Sequence, residues 1–378
     1  MIKGTGILRE FNKRKILSLI RKYGKTSRQD LVDKMGVSKN TVSMIVDELM
    51  KQNILEEIGE KELGKKGRPK IIIQIKGNSL KSIGISISKY AIDYSVINYY
   101  GSVMESSSFK YDCTDPFKTK KRLIGLINDL TSRYTQLIGV GIGIPAIVES
   151  ETKYIHESTH LGWDNVSLEE LNDISLPVII RNSINMGAIQ ASEKHQSQDE
   201  SLFYIRVSEG VGGAYVVDNA LIDGGSWTAG EIGHISIDTN GDSCLCGQKG
   251  CLEQLVNFNA IKRDLKQIGV NPPTEINNNL TFDEEHLNSN EVKALMMEYG
   301  NNFGKALIYV VHLLNPSKVI LDTPYNTFEE FKKSCLLYIK GNALEITIKN
   351  TEVVFKKQRD PLSRGAALSV INIYEMEI

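Results

Sequence analysis

The run Gly230-Glu231-Ile232-Gly233-His234, followed by Cys244-Leu245-Cys246-Gly247 and Gly250-Cys251-Leu252-Glu253, constrains this chain more than any other stretch. Three of the five cysteines lie within eight residues, and a histidine stands ten positions before the first of them. Four soft or borderline ligands are what a closed tetrahedral Zn²⁺ site requires. The spacing H-x9-C-x-C-x4-C reads as a structural zinc site of His234, Cys244, Cys246 and Cys251. A redox-active group of thiols is the other reading. The spacing is not that of a zinc finger, so the metal alone implies no contact with DNA. Cys113 and Cys335 read as small buried hydrophobes. Glu231 and Glu253 flank the cluster, are not needed as ligands, and are left for another partner.

The chain shows no secretory signal, and its first residues are polar and basic, so a reducing cytoplasmic setting is expected, where clustered cysteines more often hold metal than form disulfides. The 378 residues, 41% of them hydrophobic, suffice for two or three cores. No apolar run approaches the roughly 20 residues that span a membrane. The net charge of −1 conceals an asymmetry: residues 1–76 hold 18 Lys and Arg against 9 Asp and Glu, and the remaining 302 hold 27 against 37. A basic N-terminal module on an acidic body points to a polyanion partner for the first part only, with a solvated basic surface as the plainer account.

Within 1–76 the pattern is helical. Residues 9–23 carry Ile16, Leu17, Leu19 and Ile20 at helical spacing and end at Gly24. Ser27 reads as the N-cap of a short helix broken at Gly36, and Ser38 as the cap of a second, with Val42, Ile45, Val46 and Leu49 on its apolar face. Two short helices joined by a tight turn form a helix-turn-helix. Ser38, Lys39, Asn40, Thr41 and Ser43 are suited to base edges and phosphates in a major groove. Ile54–Ile58 and Ile71–Ile75 read as the two strands of a wing. Between them Gly64-Lys65-Lys66-Gly67-Arg68-Pro69-Lys70 is either a flexible linker or an extended basic hook for the narrow groove of A·T-rich DNA.

From residue 80 strands and helices alternate. Strands are expected at 83–87, 94–98, 138–144, 178–180, 202–207, 213–217 and 319–321, and helices at 117–134, 183–194 and 291–314. The residues 271–290, with Asn277-Asn278-Asn279, read as a polar, mobile loop. This is an α/β body, expected as two lobes with a cleft between them.

Taken together these motifs resemble the ROK family (repressors, open reading frames and kinases), and most closely its repressor branch, which includes xylose-operon repressors. Ser27-Arg28-Gln29-Asp30-Leu31 and Ser38-Lys39-Asn40-Thr41-Val42-Ser43 look like the family's winged helix-turn-helix, with Arg28 among the expected DNA contacts, and Gly67-Arg68-Pro69 looks like its hook. Gly141-Ile142-Gly143-Ile144-Pro145 looks like its sugar-lobe glycine turn, and the His234 and cysteine segment like its zinc signature. The resemblance implies a winged helix-turn-helix over residues 1–76 and, over 77–378, an actin-like, hexokinase-type ROK domain that binds sugar and dimerises. It implies sugar contacts from Gly143, Asn182, Ser183, Glu231, His234 and Glu253. Carboxylates and an amide make charge-assisted and bidentate hydrogen bonds to a polyol. Leu161-Gly162-Trp163 resembles a stretch of xylose repressors, although Trp163 also fits simple packing of a loop.

The same family contains ATP-dependent sugar kinases, the alternative function. A kinase needs a general base and a phosphate cradle. The position of the family's catalytic Asp holds Ser183. The first phosphate loop reads Ser86-Ile87-Ser88-Lys89-Tyr90, without the glycines that let backbone amides approach phosphate. The second reads Ser208-Glu209-Gly210-Val211-Gly212-Gly213, with a carboxylate beside the phosphates' place. The expectation is therefore a non-enzymatic, sugar-responsive repressor of a carbohydrate operon, most consistent with xylose, acting as a homodimer or dimer of dimers on operator DNA. A body that binds no sugar is the remaining alternative.

Overall fold

Side-chain caps set the helix starts of the N-terminal module. The computed structural model describes residues 4–61, 70–193, 201–218, 220–276, 279–356 and 362–376. Helix α1 runs Gly4–Tyr23, starting five residues earlier than expected, and strand β1 is Thr26–Ser27. Ser27 caps α2 (Arg28–Met35) in a reciprocal box: its hydroxyl accepts from the Asp30 N–H and the Asp30 carboxylate accepts from the Ser27 N–H. Gly36 closes α2 in the left-handed region, and Ser38 caps α3 (Lys39–Lys51). Leu17, Ile20, Leu31, Val42, Val46 and Leu49 are buried between these helices. Strands β2 (Leu55–Lys61) and β3 (Lys70–Ile75) pair antiparallel, with β1 on the other side of β3. The Lys70 ammonium sits 2.7 Å from Asp30 and, with the Ser27 hydroxyl, holds that carboxyl below its ordinary range. The expected contacts Lys65, Lys66 and Arg68 lie outside the described residues.

The body begins with β4 (Lys81–Ser88), β5 (Ala91–Asn98), β6 (Val103–Lys110), α4 (Pro116–Arg133) and β7 (Leu137–Ile144). It continues through β8 (Ile147–Glu149), the antiparallel pair β9 (Tyr154–Ser158) and β10 (Trp163–Ser167), and β11 (Val178–Asn182). Next come α5 (Ser183–Ser192), β12 (Ser201–Val207), β13 (Val211–Val217), β14 (Ala220–Leu221), α6 (Leu252–Val256) and α7 (Phe258–Gln267). The hairpin β15 (Thr274–Ile276) and β16 (Asn279–Thr281) follows, then α8 (Glu284–Asn288), α9 (Asn290–Leu313), β17 (Lys318–Asp322), α10 (Glu329–Asn342), α11 (Glu345–Asn350), β18 (Glu352–Phe355) and α12 (Leu362–Met376).

Two units result. One comprises residues 1–146, 150–181 and 362–378, the other 147–149 and 182–361. Each has a five-stranded sheet, in the order β11-β7-β4-β5-β6 in the first and β14-β13-β12-β17-β18 in the second. Counted along the chain, both read third, second, first, fourth, fifth. In both, the first three strands form an antiparallel meander and the fourth joins the first in parallel. The helix that follows the fifth strand is exchanged. After β11, α5 packs on β12 and β13 of the second sheet, and after β18, α12 packs on β4, β5 and β7 of the first.

That packing explains two glycines. A Cβ on Gly84 would stand 1.9 Å from the Ser363 carbonyl oxygen, and one on Gly141 would stand 2.0 Å from that of Ala366. The Gly141–Ile144 stretch, likened to a glycine turn in the family resemblance, runs within strand β7, as the expected strand at 138–144 has it, with helix backbone against it. Trp163 is buried and donates its indole N–H to the Cys113 carbonyl at 2.9 Å, so it packs its loop. The described residues of 271–290 form the paired strands β15 and β16 and helix α8 in place of the expected polar loop. Leu280, Phe282 and His286 anchor them inside, and Asp283 caps α8. Within the first unit α12 also meets α1: Arg21 pairs with Glu375 at 3.2 Å, and the Arg14 guanidinium lies 4.7 Å from the centre of the Tyr374 ring. Among the described residues no helix is long and apolar enough to cross a membrane.

Candidate functional sites

In the N-terminal module α3 buries Val42, Ile45, Val46 and Leu49 and turns Lys39, Asn40, Met44 and Asp47 outward. Lys39 and Asn40 stand in its first turn, where free backbone N–H groups and the helix dipole favour an anion. The Ser38 hydroxyl is engaged in starting the helix, accepting from the Thr41 N–H at 3.1 Å and lying 2.8 Å from the Thr41 hydroxyl. Ser43 is half-buried. Arg28 is not an open cation: its guanidinium lies 2.7 Å from Asp47 and 3.8 Å from Glu57. Glu48 is met in the same way by Arg9 at 2.6 Å and Lys13 at 3.5 Å. Such exposed pairs add little stability. Their effect here is to cancel both acids of α3, so that the outward face presents no uncompensated negative charge. Sequence reasoning missed Met44 and Asp47, although the spacing 40, 44, 47 puts them on one helical face.

In the second unit the expected metal ligands come together. His234 Nδ1, Cys244 Sγ, Cys246 Sγ and Cys251 Sγ all lie within 4.8 Å of one another. Cys246 and Cys251 are 3.6 Å apart, and Cys244 is 3.5 Å from His234 Nδ1. A tetrahedron with metal–sulfur bonds of about 2.3 Å has sulfur–sulfur edges of about 3.8 Å, so these separations suit a single small ion. The segment doubles back on itself: the Ile237 N–H donates to the Gly250 carbonyl and the Leu252 N–H to the Ile235 carbonyl. Gly250 makes this possible, with φ at +62° and no room for a Cβ, which would sit 1.5 Å from the Asp238 oxygen. The Gln248 backbone N–H draws the Cys246 thiol down to about 7, while desolvation pushes Cys251 up to about 12. Three thiolates in one pocket repel one another, and a bound dication is what lets them ionise together.

The start of β13 gathers the other candidates. The Val211 N–H donates to Glu253 Oε2 at 2.9 Å, so one carboxylate oxygen expected to be free is engaged, and Oε1 has no hydrogen bond among the described residues. The Gly213 N–H donates to the Gly230 carbonyl, placing Glu231 beside this strand, and Ile184 of α5 packs on Gly212. Desolvation raises the Glu231 carboxyl above its ordinary range, with His234 opposing the rise and Glu253 adding to it. Asn182 Oδ1 accepts from the Ile184 N–H at 2.8 Å and caps α5, while Ser183 is buried as its first residue. Gly143 belongs to the first unit, on β7. Asn182, Ser183, Glu231, His234 and Glu253 all belong to the second.

Comparison with known proteins supports both modules. The model of the ROK family matches residues 82–356, and a winged helix-turn-helix DNA-binding model matches residues 12–56. A protein named xylose repressor from Caldicellulosiruptor bescii is 28% identical over 349 residues, covering 86% of this chain and 86% of its own length. Another of that name, from Bacillus spizizenii, is 27% identical over 83% of this chain and 82% of its own. A solved ROK family transcriptional regulator, described as a homologue of the Escherichia coli MLC protein, superposes with a TM-score of 0.82 at 20% identity, covering 97% of each chain.

Proposed function

The chain belongs to the ROK family, and we propose that it is a sugar-responsive transcriptional repressor of a carbohydrate-utilisation operon, with xylose as its effector. One observation carries this reading. A winged helix whose recognition face is cleared of negative charge is joined to a ROK domain that keeps Glu231, His234 and Glu253 side by side in sequence with the cysteine cluster. The xylose repressors match over 83–86% of the chain, a span that requires more than the ROK domain alone.

In this reading residues 1–76 bind operator DNA through Lys39, Asn40, Thr41 and Ser43, with Lys65, Lys66 and Arg68 as a basic hook. Residues 77–378 sense the sugar. Zn²⁺ held by His234, Cys244, Cys246 and Cys251 is structural and keeps the Glu231–Glu253 loop in shape. Coordination through Nδ1 fixes the His234 tautomer and leaves Nε2 for a sugar hydroxyl. Glu231 and Glu253 Oε1 accept further hydroxyls. The protein works in the cytoplasm as a homodimer, two recognition helices meeting two operator half-sites. The sugar lowers operator affinity only by binding one conformation more tightly than the other. Phosphoryl transfer fits the residues poorly. Ser183, in the place of a general base, is a neutral hydroxyl, and Glu209 puts negative charge in the β12–β13 turn.

A thermal-shift screen of pentoses, hexoses and their phosphates on the full chain tests this, followed by release of bound operator DNA with any sugar that binds. The expected result is one sugar that raises the melting temperature and frees the DNA. Sugar-dependent ATP hydrolysis abolished by Glu231→Ala would establish the kinase instead.

A further inference from the structure

The outward face of α3 holds one apolar residue that phosphate binding does not explain. Met44 is 59% exposed, on the side of α3 opposite the buried Val42, Ile45, Val46 and Leu49. A single exposed methionine is ordinary on a protein surface, but this one has a particular address. It follows Asn40 by one helical turn, so the two side chains stand in one column. Asp47, the next residue along that face, is covered by Arg28. The column therefore offers an amide, then an apolar thioether, then a neutralised acid, and Asn40 and Met44 lie in the N-terminal half of α3, the half that meets base edges.

Each group in such a column has a limited set of partners in a major groove. An Asn amide can pair with N6 and N7 of adenine, whereas a thioether has no donor to offer, and the apolar feature a base pair presents there is the 5-methyl group of thymine. An unbranched, polarisable side chain adapts to such a methyl without a fixed rotamer. We propose that Met44 is a specificity-determining residue that reads a thymine methyl in the operator. This rests on the DNA-binding reading of the N-terminal module. It adds to it that the recognised half-site contains a thymine opposite Met44, and that discrimination there is apolar.

The test uses the full chain and a duplex enriched by its binding from a random-sequence pool. The same duplex is also made with deoxyuridine in place of thymidine, which removes each 5-methyl and leaves every donor and acceptor in place. Wild type and Met44→Ala are titrated with both. Burial of one methyl corresponds to about four-fold in affinity. The expected result is that uracil weakens wild-type binding by about that factor or more per half-site, that Met44→Ala weakens binding to the thymine duplex to a similar degree, and that the variant is nearly indifferent to uracil. Met44 is exposed, so the variant should keep its circular dichroism and melting temperature. Wild-type indifference to uracil, or an equal uracil effect on both proteins, overturns the role of Met44 and leaves the DNA-binding reading intact. A pool that yields no bound duplex overturns both.

Discussion

The two five-stranded sheets share one strand order and are filled in opposite ways. In the first, α12 lies so close that its backbone touches the strands, and Gly84 and Gly141 face Ser363, Ala366 and Ala367. In the second, the centre is aromatic: Phe303 meets Phe331 edge-on at 5.4 Å, Tyr299 meets Tyr325 at 5.1 Å, and Phe282 meets Phe328 at 4.9 Å. The second also carries the His and Cys cluster. A common topology thus leaves the nature of the core open. A core built on backbone contact fails when a residue grows, and a core built on large rings fails when one shrinks.

The largest effect is expected at the His234 and cysteine cluster, if it holds the proposed zinc. Cys246→Ser should lower the zinc content found by elemental analysis and cost that unit several kcal/mol, since ligand-set folding energies are on the order of 10 kcal/mol in small zinc domains. Hydrogen exchange should rise in 252–267 and stay unchanged in 81–98. A variant with full metal content would remove Cys246 from the ligand set. Phe331→Ala comes next, at about 3–5 kcal/mol for a buried ring deleted from a packed cluster, read as a fall in melting temperature on the order of 10 °C. Gly84→Ala should cost the first unit about 1–3 kcal/mol although it adds a single methyl, because backbone must move to admit it. Gly125→Ala, on α4 with open space around its Cβ, is the control and should stabilise slightly. If Gly84→Ala were as harmless, the contrast between the two cores would collapse.

What could be read in the chain was what acts over short distances. The Ser27–Asp30 box, the Ser38 cap and the closing glycines declare the helices of the N-terminal module within a few residues. The coming together of His234 and the three cysteines was equally legible, because they fall within 18 positions and the turns between them are fixed by Gly247 and Gly250. Contacts that close over long separations stayed hidden. Nothing near Gly84 announces a helix 279 residues away, nor does Arg28 announce that Asp47 will claim it. The candidate sugar residues were named from resemblance, and local sequence could not reveal that Val211 binds one oxygen of Glu253, 42 positions away; the Asn182 cap of α5 is a short-range contact that was open to reading and was passed over. Residues 271–290 misled by composition: their six asparagines outnumber the four buried residues among those described, Pro273, Leu280, Phe282 and His286.

The exchange of α12 has a consequence for how the protein is made. Translation runs from the N-terminus, and domains generally fold as they emerge. A chain halted before residue 362 has its recognition helix complete, yet β4 and β7 lack the helix that covers them and α1 lacks Tyr374 and Glu375. The N-terminal helices are therefore seated only after the second unit, residues 182–361, has been synthesised. Loss of residues 362–376 uncovers Gly84 and Gly141 and removes the partners of Arg14 and Arg21 together.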